Sequence, residues 1–94
     1  MKAALAAATE LAEETRVLGC ENEGLSAENI MLLRQSGASP SAVLKQAIPV
    51  GALDIRAVTS EAFAAARMTS RLSVISDSQE FRNKYEMACL NRGR

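Results

Sequence analysis

The chain contains no histidine and no tryptophan, and its 94 positions hold only three aromatic residues, Phe63, Phe81 and Tyr85. Histidine is the side chain that most often serves as general base near neutral pH and as metal ligand, so its absence removes serine–histidine hydrolysis and histidine-ligated metal chemistry. Cys20 and Cys89 are the only cysteines, and without CxxC spacing they do not make a zinc site. Neither a GxxxxGK phosphate loop nor a paired-aspartate cation loop occurs. These absences predict a protein that is not an enzyme and binds no cofactor or metal.

Excess charge is missing too. Eleven basic residues balance eleven acidic ones, which leaves little net attraction for a nucleic-acid backbone. No apolar run is long enough to span a bilayer. The opening Met1–Ala8 resembles the start of a secretory signal, but the apolar stretch is short and Glu10, Glu13 and Glu14 follow it where a cleavage site would stand. The expectation is a cytoplasmic protein with two reduced thiols.

What is abundant is alanine, at 17 positions. A methyl side chain permits close helix packing but buries little apolar area. A single domain with such a thin core should gain stability by associating, and a homodimer is the expected form. The charges are also segregated: residues 1–28 carry a net of −4 and residues 29–94 a net of +4.

Apolar periodicity predicts an all-α fold of four or five helices with a long central helix. Over residues 2–18, Ala4, Leu5, Ala8, Leu11, Ala12, Thr15 and Leu18 share one face, and steps of three and four mark a heptad-like seam. Leu5, Ala8, Leu11, Thr15 and Leu18 are therefore the candidate dimerisation residues. Gly19 to Gly24 reads as a loop. A second helix is expected over 27–36, closed by Gly37, and a third over 40–48, with Ser39 as cap and Pro40 at the first helical position. Residues 52–76 read as one long helix, and Asp77 with Glu80 as the start of a last helix over 78–91.

Three surfaces are candidates for binding. On an unbroken helix over 52–76, Arg56, Ser60, Phe63, Arg67, Arg71 and Val74 would fall on one stripe. An aromatic anchor between arginines is an interface-like composition, and Arg56, Phe63, Arg67 and Arg71 are taken as the partner-binding set; the alternative is that Phe63 fills the core and the arginines form a solvated edge. Residues 30–48 resemble a helix-turn-helix, although Lys45 and Gln46 are the strongest groove-reading groups there and Pro49 ends the second helix. The acidic run Glu10, Glu13, Glu14, Glu21 and Glu23 is either a docking face for a basic partner or a solvated helix side.

These features point to a small non-enzymatic adaptor or regulator that binds another protein, an anti-activator, inhibitor or chaperone-like factor, with no membrane association. A DNA-binding regulator using residues 30–48 and a self-assembling structural subunit are the alternatives.

Overall fold

The computed structural model describes residues 2–92, with side chains from Glu10 onward. These residues form four helices and no strand: α1 (Lys2–Gln35), α2 (Pro40–Gln46), α3 (Ile55–Ala64) and α4 (Arg71–Arg92). The architecture is all-α around a long helix, as periodicity predicts. That helix is α1, at the start of the chain, and residues 52–76 do not form it.

α1 and α4 run antiparallel and make the main packing contact, with Cys20 against Cys89 and Gly24 against Arg82 and Glu86. The core lies where the lower half of α1 meets the other helices. Ala27, Ile30 and Met31 of α1 pack with Val43 of α2, Val58 and Ala62 of α3, and Phe81 of α4. Phe81 and Tyr85 stack edge to face, their centroids 5.0 Å apart.

The stretch from Gly19 to Gly24, expected to be a loop, is helical. Two glycines weaken an isolated helix by roughly 1 kcal/mol each, but here α4 packs against that segment and outweighs local propensity. Gly24 lies directly against α4. A Cβ at that position would stand 3.1 Å from the carbonyl oxygen of Arg82 and from Glu86 Cβ. Gly24→Val should therefore force α1 and α4 apart and cost about 2–3 kcal/mol as an overpacked contact, read as a lower urea midpoint. A midpoint equal to wild type would show that the helices do not touch there.

α1 ends as its sequence predicts. Gly37 takes a positive φ of 99°, its amide donates to Arg34 O, and the Ala38 amide donates to Leu33 O. This is the paired hydrogen-bond pattern of a glycine-terminated helix. Ser39 then caps α2 by accepting from the Ala42 amide at 3.2 Å, with Pro40 at the first turn. α2 stops at Gln46, short of the expected residue 48, because Ala47 turns extended before Pro49.

The largest departure is the break at residues 65–70. Nothing local demands it, since the segment holds neither proline nor glycine. The cause is Gln35, a buried side chain at the end of α1. Its amide donates to Ala66 O at 3.2 Å and accepts from the Met68 amide at 2.7 Å, supplying partners that the backbone would otherwise find only within a helix. Ser70, accepting from the Ser73 amide at 3.1 Å, restarts the helix as α4. Asp77, expected at a helix start, lies inside α4.

Candidate interaction surface on the first helix

Because α1 is unbroken, its heptad spacing runs much further than the sequence reading allowed. Leu11, Leu18, Leu25 and Leu32 recur at every seventh position, with Thr15, Asn22 and Asn29 between them. At 100° per residue these seven share one side of the helix, away from the Cys20–Ala27 line that faces α4. All seven are exposed. The leucines show 63, 59, 41 and 39% of their surface to solvent, respectively. Four leucines in a line on one helix, each still showing about two-fifths or more of its surface to solvent, are what a second helix covers in a coiled coil.

Of the residues expected to dimerise, Leu11, Thr15 and Leu18 belong to this face. The Thr15 hydroxyl donates to Leu11 O at 2.8 Å. Leu5 and Ala8 fall outside the residues whose side chains are described. Asn22, Leu25, Asn29 and Leu32 join the same face because α1 continues through Gly19 and Gly24, where the two glycines read as a loop. Beside Leu25 and Asn29 a shallow groove opens, bounded across from α1 by Ile48 and Val50, and Ile48 is itself exposed.

The expected arginine stripe is divided by the break after Ala64. Arg56 and Phe63 lie on α3, Arg67 in the connecting segment, and Arg71 at the first position of α4. All three arginines are exposed. Phe63 is half-buried and packs against the core, with the Arg34 guanidinium 5.0 Å over its ring. Phe63→Ala should accordingly cost about 2 kcal/mol of stability. Chemical denaturation checks this, and an unchanged midpoint would return Phe63 to the role of a free anchor. In the 30–48 segment α2 is seven residues long, with Lys45 its basic residue.

The acidic run also divides. Glu10, Glu13 and Glu14 are exposed, and Glu13 pairs with Arg16 at 2.7 Å. Glu21 faces Arg82 at 3.8 Å. Glu23, expected on a solvated or docking face, is only 4% exposed. Both of its carboxylate oxygens accept from Arg92, at 2.7 and 2.9 Å. Gly51, at a φ of 54°, passes so close that a Cβ there would lie 2.6 Å from Glu23 Oε2. Glycine suits the loop here on two counts, its positive φ and the room it leaves for this carboxylate.

The expectation of free thiols is corrected as well: Cys20 and Cys89 form a disulfide, with their Cα atoms 5.3 Å apart. Continuity of α1 through Cys20 and the antiparallel return of α4 bring together residues 69 positions apart, a meeting that no local spacing announces. Farther along α4, Glu61 of α3 accepts hydrogen bonds from Lys84 and Tyr85. Burial raises the pKa of the Tyr85 phenol, and the charge of Asp54 adds to the shift. This cluster ties α3 to α4 through polar groups.

Among the described residues no group of acidic, cysteine or histidine side chains is placed to hold a metal ion, and no helix is long and apolar enough to cross a membrane. No protein-family model matches the chain, and neither does any curated protein or solved structure in comparison with it.

Proposed function

We propose that this chain is a non-enzymatic helical adaptor or regulator that works by pairing the outer face of α1 with a helix of another polypeptide. The observation that carries the reading is the row Leu11, Leu18, Leu25 and Leu32, exposed along a helix whose opposite side is buried from Cys20 to Met31. An apolar row of this kind is costly to leave wet and selects a helical partner by its period. The arginines Arg56, Arg67 and Arg71, scattered by the break after Ala64, would contribute at most as separate polar contacts. The Cys20–Cys89 pair supports a place of action where thiols oxidise, in preference to the cytoplasm.

The test compares wild type with Leu18→Glu/Leu25→Glu as bait in extracts of the native host. A protein retained by wild type and lost by the variant supports the reading. Identical retention by both would overturn it.

A further inference from the structure

We infer that the helix meeting α1 is α1 of a second copy of this chain, lying parallel and in register, with Asn22 and Asn29 setting the register. This rests on the reading of the outer face of α1 as an association surface, and adds the identity and orientation of the occupant.

The argument begins with the two asparagines. In a paired seam, the leucine positions form one set of layers and Thr15, Asn22 and Asn29 the other. An asparagine facing leucine loses its water without gaining a hydrogen-bond partner, a net destabilisation. An asparagine facing asparagine exchanges amide hydrogen bonds across the seam. An occupant with two asparagines seven residues apart, in step with Leu18, Leu25 and Leu32, satisfies both amides. A second α1 supplies that pattern when parallel and unshifted. Turned antiparallel, it would set each asparagine layer against a leucine layer.

The flanks of the seam select the same orientation. On one side stand Glu14, Glu21 and Glu28; on the other stand Ala12, Gly19 and Ser26. In a parallel pair each flank meets the opposite flank of its mate, so Glu14 lies beside Gly19 and Glu21 beside Ser26. An antiparallel pair would bring glutamate flank to glutamate flank, where Glu21 already faces Arg82 at 3.8 Å and Glu14 and Glu28 would supply the repulsion. Charge therefore disfavours the reversed arrangement independently of the asparagines.

Gly19 is a third, separate sign. Unlike Gly24, it has no neighbour in its own fold, and a Cβ there would meet nothing within 4 Å. A glycine weakens the helix at this point without easing any contact inside the chain. Beside the seam, it lets a partner helix and its glutamate approach. Buried asparagine at this seam position also restricts coiled coils to two strands, so the assembly is a dimer.

The decisive experiment combines sedimentation equilibrium at rising concentration with cysteine cross-linking. Thr15→Cys and Asn29→Cys lie on the side of α1 away from the native disulfide, and the linked peptides are identified by mass spectrometry. The expected result is a reversible dimer in which Thr15→Cys links to itself and Asn29→Cys links to itself. In a mixture of the two variants, no link should join position 15 to position 29. A link between 15 and 29 in place of the self-links would overturn the parallel register. A wild type that stays monomeric at every concentration would overturn the inference while leaving the wider reading to the comparison with Leu18→Glu/Leu25→Glu. A dimer that persists in that variant would overturn both. As a check on the asparagines, Asn22→Leu with Asn29→Leu should give assemblies larger than two chains; a strict dimer would show that these residues do not set the assembly.

Discussion

Reduction of the Cys20–Cys89 bond should lower the melting temperature by on the order of 15 °C, the largest single effect on stability expected for this protein. The bond closes a loop of 69 residues' separation, and restricting an unfolded chain over such a span stabilises the folded state by about 3–4 kcal/mol. In a domain of this size about 1 kcal/mol corresponds to roughly 4–8 °C. Both half-cystines sit in the interior, at 2 and 8% exposure. The reduced thiols can stay there as small apolar groups, so the reduced protein should remain helical at low temperature. Cys20→Ser/Cys89→Ser should melt lower still, because two hydroxyls would then be buried in place of sulfur. Scanning calorimetry with and without dithiothreitol separates the three states. Equal melting temperatures for oxidised and reduced wild type would mean that the bond does not form in solution.

Leu18→Glu/Leu25→Glu should weaken self-association by on the order of a thousandfold while leaving helicity and melting of the isolated chain nearly unchanged. About half of each leucine remains exposed in the single chain, so completing its burial is worth roughly 1 kcal/mol. A pair of chains loses four such leucines, about 4 kcal/mol, which is close to three decades in the dissociation constant. Glutamates added next to Glu14, Glu21 and Glu28 act in the same direction. The fold is spared because neither leucine belongs to the core built by Ile30, Val43, Val58 and Phe81. Far-UV circular dichroism beside sedimentation makes the distinction, and a variant that loses helicity would place these leucines inside the fold.

Some of this was readable from residues alone. Gly37, Ser39 and Pro40 announce a helix end and a helix start, and each does in space what its backbone chemistry requires. On α1, Leu11, Thr15 and Leu18 share one exposed face, as periodicity over 2–18 predicts, and the helix carries that face on past Gly19. The low helix propensity of Gly19 and Gly24 favours a loop, and tertiary contact with α4 overrides it. At Gly24 a Cβ would press on α4 at 3.1 Å, a constraint that only packing reveals. The reverse holds at residues 65–70, where a run of alanines favours helix and a distant glutamine makes it extended.

What the sequence by itself determined is therefore the helical class, the caps around Gly37 and Ser39, and the common face of Leu11, Thr15 and Leu18. Those depend on periodicity and on backbone chemistry between neighbours. The tertiary structure alone decided that α1 is continuous, that Gln35 ends α3, that Glu23 is buried against Arg92, and that Cys20 meets Cys89. Each depends on groups far apart in the chain, and the free energy of their contact outweighs the small local preferences on which sequence patterns rest.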